Sequence, residues 1–220
     1  METTLDHQKR YIMRKSLDAR LPFVFIVGMN KTATTSLHQF FKGQNWPSVH
    51  YDGGRLARTM LRNALSGRRI LKGYDHRFRV FADMVVSTPD LRFEANTLFP
   101  ALDRDYPGAY FILNTRDEDA WVASRLANYS MSTKMNFVEL ECRVSGLKSP
   151  DEATAKWRTD RREFERRVER YFEGSPRFLK IDIGRDDVPH QLSQFLGVEF
   201  DPSKWTQIRT NKHQAPTHST

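Results

Sequence analysis

The feature that most constrains the fold is a short hydrophobic segment that runs directly into a polar loop and then a helix. Residues 23–27 read Phe-Val-Phe-Ile-Val, a β-branched and aromatic run that is typical of a strand buried on both faces. Between Thr34 and Lys42, hydrophobic residues recur at spacings of three and four, which predicts an amphipathic helix. A buried strand, a loop and a helix in this order are typical of α/β folds.

The same alternation continues along the chain. Further strands are predicted over 47–51, 79–83, 109–113 and 177–183, and further helices over 55–65, 93–103, 117–128 and 155–172. This order favours an α/β fold of three layers, with a mainly parallel central sheet flanked by helices. The sequence contains no internal repeat, and its 220 residues fit one domain, so we expect residues 1–220 to form a single domain.

The net charge narrows the class of ligand. The chain has 35 Lys and Arg against 27 Asp and Glu, which gives a formal charge of +8. A basic surface attracts anions, so nucleic acid, anionic lipid and a polyanionic small molecule are all candidate ligands. No apolar run approaches the roughly 18 to 20 residues of a membrane span, and the first twenty residues lack the apolar region of a signal peptide. We therefore expect a cytoplasmic protein without a membrane span.

The number of cysteines and the spacing of the histidines argue against a disulfide and a metal site. A single cysteine, Cys142, excludes an internal disulfide and a zinc site built on several thiolates. The seven histidines show no spacing typical of metal ligands. The sequence therefore predicts no metal.

The loop after the first strand has the character of an oxyanion site. It covers residues 28–36, which read Gly-Met-Asn-Lys-Thr-Ala-Thr-Thr-Ser. Backbone N–H groups at the helix start, the positive end of the helix dipole and three hydroxyls would meet there. A Walker A loop counted from Gly28 would need Gly at Ala33 and Lys at Thr34. The lysine stands earlier instead, at Lys31, from where it can reach the bridging oxygen of a bound group; the alternative is an ordinary turn with hydroxyl caps.

A second pair of polar residues follows the strand predicted over 109–113. Arg116 lies just beyond that strand, and Ser124 lies eight residues later on the next helix. An arginine at a strand's C-terminal end and a serine two helical turns on can converge on one phosphate, because both side chains donate hydrogen bonds. Taken alone, the two would be a surface ion-pair residue and an ordinary helical serine.

Together these motifs resemble those of the sulfotransferases that use 3′-phosphoadenosine 5′-phosphosulfate (PAPS). Residues 31–37 are similar to the family's 5′-phosphosulfate loop, usually Lys-x-Gly-Thr-Thr, with Ala33 in place of Gly. Residues 111–117 with Ser124 resemble its 3′-phosphate segment. The resemblance covers residues 23–129 and is weaker over 178–213. It implies a P-loop-like sulfotransferase fold and transfer of a sulfuryl group from PAPS to a hydroxyl or amine, which releases adenosine 3′,5′-bisphosphate without a metal.

The resemblance also implies roles for individual residues. Lys31 would stabilise the bridging oxygen as it leaves, while the amides and hydroxyls of the loop hold the 5′ end. Arg116 and Ser124 would hold the 3′-phosphate, and Asn211 and Lys212 stand where the family has a basic loop that closes over it. The expected cofactor-binding residues are Lys31, Thr32, Ala33, Thr34, Thr35, Ser36, Arg116, Ser124, Asn211 and Lys212.

Positioning and charge neutralisation do most of the catalysis in a loose, in-line transfer. The hydroxyl that receives the sulfuryl group still needs a base to take its proton. In the family this base is usually a His or a carboxylate near the end of a neighbouring strand, which indicates His50, Asp52 or Asp83. A histidine titrates near pH 6.5 without perturbation, whereas Asp83 needs burial to become basic. We place Asp83 slightly ahead of His50, because an apolar strand holds Asp83 at the sheet edge.

Two other functions stay open from the sequence. A small-molecule or nucleotide kinase with a degenerate P-loop is disfavoured by Thr34 and by the lack of an obvious second acidic metal site. A basic nucleic-acid-binding protein is disfavoured by acids interleaved among the basic residues and by the lack of a reader motif. The expected partners are a small-molecule, lipid or carbohydrate acceptor, with a homodimer as an option. The irregular stretches 51–75, 84–92 and 129–150 are expected to cover the acceptor.

Overall fold

A computed structural model describes residues 21–130 and 133–207. The strands are β1 (Val24–Ile26), β2 (Ser48–His50), β3 (Val80–Ala82), β4 (Val85–Thr88), β5 (Leu91–Glu94), β6 (Tyr110–Thr115), β7 (Tyr129–Ser130), β8 (Met135–Asn136) and β9 (Phe178–Asp182). The helices are α1 (Thr34–Gly43), α2 (Arg55–Leu65), α3 (Phe99–Asp105), α4 (Glu118–Leu126), α5 (Phe137–Ser145), α6 (Pro150–Tyr171) and α7 (Val188–Leu196), with short 3₁₀ turns at Asp52–Gly54, Ala95–Leu98 and Pro202–Lys204.

Five strands form a parallel central sheet in the order β2-β3-β1-β6-β9. Alternate residues of β1 face opposite layers, as the period of a strand requires. Phe25 lies in the core that includes side chains of α2, α3, α4 and α6, and Ile26 lies in the core that includes those of α1 and α7. The α/β architecture, with a parallel sheet between two helical layers, confirms the predicted fold class.

The strand order places the loop after β1 at a switch point. From β1 the chain crosses to β2 and returns to β3 on one side, and it then continues to β6 and β9 on the other side. In open α/β sheets, ligands bind beyond the carboxyl ends of the strands at the point where the order reverses. That position is occupied here by residues 27–33.

Several stretches differ from the sequence-based prediction. The helix predicted over 93–103 begins only at Phe99, where Pro100 supplies a favourable first-turn residue. Residues 91–94 form instead a strand that pairs with β4 across a turn at Pro89 and Asp90. Within 129–150, α5 forms because Asn136 and Glu139 make a capping box, a signal that the sequence carries and that hydrophobic spacing alone does not reveal.

Two further structural findings concern membranes and metals. None of the helices in the described ranges has the length and apolar character that a membrane crossing requires. Within those same ranges, no group of three or more His, Cys, Asp or Glu side chains is placed to hold a metal ion.

Candidate active site

The loop after β1 turns through the left-handed region twice. Lys31 has φ 70° and Ala33 has φ 63°, a region that costs a non-glycine residue roughly 1–3 kcal/mol. Ala33 is also the N-cap of α1 and provides no side-chain hydrogen bond, and the first turn of α1 carries no acidic residue. The partial positive charge at the N-terminus of α1 is therefore not neutralised by the N-cap side chain or by an acidic residue of the first turn.

Asn114 on β6 fastens this loop to the sheet. Its Oδ1 accepts a hydrogen bond from Gly28 N at 3.0 Å, and its Nδ2 donates to Thr32 O at 2.6 Å and to Thr32 Oγ1 at 2.7 Å. Thr32 Oγ1 in turn donates to Met29 O at 2.5 Å. Asn114 and Thr32 are both fully buried, so one strand residue fixes both ends of the turn.

Replacing Gly28 with alanine should destabilise the protein by about 2 kcal/mol or more, as expected for overpacking in a site that cannot relax. A Cβ at Gly28 would lie 2.2 Å from both Asn114 O and Asn114 Oδ1, so either the backbone of β6 or the loop must move. Denaturant unfolding measures the loss. The control is Gly184→Ala, whose Cβ would meet Asp182 Oδ1 at an ordinary 3.4 Å; equal stability of the two variants would contradict the prediction.

Asn30 is held from the other side by a buried cluster. Trp121 Nε1 donates to Asn30 O at 2.9 Å, and Asn30 Oδ1 accepts from Arg125 Nη1 at 3.0 Å and from Arg92 Nη2 at 3.3 Å. Three donors from β5 and α4 thus fix the residue that immediately precedes Lys31.

Lys31 lies in the loop that follows the carboxyl end of β1. Its Nζ donates to Asn128 Oδ1 at 2.9 Å. Burial lowers the pKa of Lys31; Asp83 opposes this shift, while Arg116 and Arg125 add to it through repulsion. Lys31 therefore lies within the electrostatic influence of both the predicted base and the predicted phosphate-binding arginine.

Arg116 also lies against the loop. It directly follows β6, and its Nη1 lies 3.4 Å from Lys31 O. Ser124 is half-buried on α4, which begins after Asp117, whose side chain caps the helix by accepting from Ala120 N. The two motifs that are far apart in sequence are thus adjacent at one edge of the sheet through Arg116 and Lys31.

The two favoured base candidates lie side by side. His50 Nε2 is 3.6 Å from Asp83 Oδ2, and it is also 3.1 Å from Thr34 Oγ1 and 3.3 Å from Thr35 Oγ1. Burial raises the pKa of Asp83, and this shift is partly opposed by His50. The pair and the two hydroxyls form one continuous polar contact between β2, β3 and α1.

Asp52 has a different environment. Its carboxylate accepts from Arg55 Nη2 at 2.7 Å and from Tyr74 OH at 2.5 Å. The hydrogen bond from Arg55, followed by that from Tyr74, lowers its pKa. These contacts join the start of α2 to the segment that follows it and make Asp52 a weak proton acceptor.

His38 is expected to make the stability of the protein depend on pH. Its Nδ1 lies 2.7 Å from Ser48 Oγ, and its ring lies 5.5 Å from that of His50. Burial first, then repulsion by His50 and Lys42, lowers the pKa of His38 to about 4. Between that value and the unperturbed value of about 6.5, the unfolded chain binds a proton here that the folded chain does not, so stability falls as the pH is lowered through this window.

Replacing His38 with glutamine should therefore reduce the loss of unfolding free energy between pH 7 and pH 5. The measurement is denaturant unfolding of both proteins at the two pH values, which removes the contribution of other groups by difference. An unchanged difference between the two pH values would contradict the prediction. The comparison is His190→Gln on α7, because His190 is exposed and is held through its backbone N, which donates a hydrogen bond to Asp187 Oδ1.

The sequence did not indicate several residues that organise the site. Asn114, Asn30 and Asn128 are polar residues with no spacing that marks them, and their contacts cross between elements. The sequence analysis singled out neither Arg92 nor Arg125. Of the predicted residues, Asn211 and Lys212 lie outside the described residues, so their predicted role stays a prediction.

Comparison with known proteins identifies the family of the chain. A search of curated proteins finds no match to the chain. The family described as the sulfotransferase domain matches residues 23–214, a range that includes the β1 loop, the His50–Asp83 pair and Arg116. The chain belongs to the sulfotransferase domain family.

Proposed function

We propose that the protein transfers a sulfuryl group from PAPS to a hydroxyl acceptor. The observation that carries the proposal is the meeting of Lys31, Arg116 and the N-terminus of α1 at the switch point of the sheet. This is where an α/β sheet binds a nucleotide, and the cations and amides suit a ligand with anionic groups at both ends.

The residues at this edge fit a nucleotide that carries two separate anionic groups. The loop amides with Thr34, Thr35 and Ser36 would hold the 5′ end, because they belong to the first turn of α1. Arg116 and Ser124 would hold the 3′-phosphate, since a guanidinium and a hydroxyl both donate to phosphate oxygens. Ala33 already adopts the left-handed conformation for which the family's usual glycine is suited, so the substitution preserves the loop.

The bound nucleotide supplies the sulfuryl group and the leaving oxygen. The acceptor oxygen forms a bond to sulfur as the bond from sulfur to the bridging oxygen breaks, and the acceptor proton passes to the base. Lys31 neutralises the charge that develops on the bridging oxygen. Asp83 accepts the proton, because burial raises its pKa toward the range that a general base needs, and His50 orients it.

The test is a calorimetric comparison of adenosine 3′,5′-bisphosphate with ATP, each with and without magnesium. The proposal expects the bisphosphate to bind more tightly and independently of magnesium, since the loop lacks the Walker lysine and relies on side-chain cations. Tighter, magnesium-dependent binding of ATP would favour the kinase instead. Salt-sensitive binding of a DNA duplex without bisphosphate binding would favour the nucleic-acid-binding alternative.

Replacing Arg116 with alanine should weaken bisphosphate binding by about 1.5 to 3 kcal/mol, the usual contribution of a charge-assisted hydrogen bond. The 3′-phosphate does not react, so the loss should be one of affinity rather than of turnover at saturation. Arg104→Ala removes an exposed arginine paired with Asp105 and serves as the control. Equal affinities of the Arg116 and Arg104 variants would refute the role of Arg116.

A further inference from the structure

The positive charge of the chain is concentrated in one segment. Residues 55–79 contain eight Lys and Arg and a single Asp, which gives this segment +7 of the +8 that the whole chain carries. The segment consists of α2 and the turns that lead from it to β3. Because the rest of the chain is close to neutral, the long-range attraction of anions that the composition implies comes mainly from this region.

Most of the basic side chains of this segment lie at the protein surface. Arg79 is buried, and Arg55 Nη2 pairs with Asp52 Oδ1 at 2.7 Å. The other six are exposed and form what we call the basic surface: Arg58, Arg62, Arg68, Arg69, Lys72 and Arg77.

Two acidic residues lie against this segment, but both are engaged by other groups. Asp75 Oδ2 accepts from Tyr106 OH at 3.0 Å and lies 4.0 Å from Arg69 Nη1. Asp105 Oδ2 accepts from Ile70 N at 2.7 Å. In the described part of the chain, four members of the basic surface form no ion pair with a carboxylate: Arg58, Arg62, Arg68 and Lys72. Their charge is therefore available to an anion from outside.

The amphipathic pattern of α2 places its basic residues on one face. The buried residues of this helix are Leu56, Ala57, Met60 and Asn63. Arg58, Arg62 and Leu65 follow one another at spacings of four and three residues, so they share the opposite, exposed face. The helix therefore presents a stripe of two arginines that ends in a leucine.

The basic surface lies away from the proposed donor site. β2 and β3 are parallel, so α2 and the turns after it return the chain from the carboxyl edge of the sheet to its amino edge. Asn63 Nδ2 fixes these turns by donating to Ile70 O at 3.1 Å and to Lys72 O at 3.0 Å. Because Lys31 follows the carboxyl end of β1, the turns of the basic surface form no part of the loop that contains Lys31.

Leu65 distinguishes among the anions that could bind here. It is 82% exposed, and although a lone exposed leucine is common, this one stands between Arg62 and Arg68 in the chain. A nucleic acid offers no apolar phase to a leucine, and Tyr74 and Phe78 pack against the core rather than form an exposed platform for bases. An anionic bilayer offers both charged headgroups and hydrocarbon beneath them.

We propose that the basic surface and Leu65 dock the protein on an anionic lipid bilayer. The guanidinium and ammonium groups contact the headgroups, and Leu65 enters the interface between them. Each Lys or Arg close to such a surface strengthens binding by about fivefold, so several acting together give stable docking. The inference is independent of the proposed function, because docking requires neither PAPS nor an acceptor.

The first experiment measures cosedimentation of the full chain with lipid vesicles. We expect binding to vesicles of equal parts phosphatidylcholine and phosphatidylserine, little binding to phosphatidylcholine alone, and loss of binding at high salt. The double variant Arg62→Gln with Arg68→Gln should bind about tenfold more weakly or less. The matched control is Arg143→Gln with Arg185→Gln, which removes the same charge from exposed arginines outside the basic surface and should bind as the natural chain does.

The second experiment uses Leu65→Ser to separate a bilayer from a soluble polyanion. Binding to the phosphatidylserine vesicles should weaken by about threefold or more, because the leucine no longer enters the interface. Equal binding to the two kinds of vesicle, or an equal loss in both double variants, would overturn the proposal, since net charge alone would then explain the binding. Vesicle binding that does not change in Leu65→Ser, together with DNA duplex binding that Arg62→Gln with Arg68→Gln abolishes, would overturn the bilayer as the partner and favour a nucleic acid.

Discussion

Replacing Lys31 with alanine should lower kcat by ~10²-fold or more and leave the affinity for adenosine 3′,5′-bisphosphate nearly unchanged. The reason is that the ammonium group is needed most when the bridging oxygen becomes anionic, and the bisphosphate product no longer carries the transferred group. The structure places Lys31 Nζ against Asn128 Oδ1 at 2.9 Å, a neutral partner that can release it. Lys31 is partly withdrawn from water, which is the main cause of its lowered pKa, and a charge in such surroundings interacts more strongly with a developing anion than it would in bulk water.

The measurement combines single-turnover kinetics with calorimetric titration of the bisphosphate. Lys42→Ala is the matched control, because Lys42 is an exposed lysine in the last turn of the same helix that begins at the loop. Full activity of Lys31→Ala would contradict the proposal that Lys31 stabilises the leaving bridging oxygen. A large loss of bisphosphate affinity in Lys31→Ala would show that Lys31 binds the nucleotide rather than the transition state.

Replacing Asp83 with asparagine should reduce turnover by ~10² to 10⁴-fold, the usual contribution of a general base, with bisphosphate affinity intact. The amide keeps the shape of the carboxyl group and removes its basicity. In the natural chain, kcat should fall as the pH drops through the raised pKa of Asp83, because a protonated carboxyl cannot accept the acceptor's proton. Asp83→Asn should lose this acid limb.

His50→Gln separates the two candidates for the base. We expect a smaller loss than in Asp83→Asn, because His50 Nε2 is engaged by Thr34 Oγ1 and lies beside Asp83 at 3.6 Å, which suits an orienting group. An acceptor screen must come first. Near-normal turnover of Asp83→Asn with an inactive His50→Gln would reverse the order, and activity of both variants would place the base elsewhere.

The order of strands and helices was readable in the sequence because it depends on local patterns. The 23–27 run and the helix that follows it need only hydrophobic spacing, and both are present in the structure as β1 and α1. The hairpin of β4 and β5, which forms a two-stranded sheet of its own, was missed, because a four-residue strand carries too few residues for a clear period. The start of α3 depends on one proline rather than on periodicity.

Part of the candidate site could likewise be predicted from the sequence, and part of it depends on how the strands pair. Lys31 and Arg116 were identified because each lies in a segment that follows a predicted strand and resembles a motif of the family, and parallel strands end at one edge of the sheet. That His50 meets Asp83 depends on the pairing of β2 with β3, in which His50 lies opposite Ala82. Strand order is decided by long-range packing, and the sequence does not state it.

The sequence by itself determined the layered α/β class, the loop that is predicted to bind an anion, and the two segments that resemble the family's motifs, since each resides in local patterns of the chain. Only the tertiary structure decided that Asn114 fastens the loop and that Arg92 and Arg125 are buried beside it. A buried polar side chain is stable only when partners from other elements satisfy it. Those partners are brought together by the packing of the whole chain, which is why a linear pattern does not reveal them.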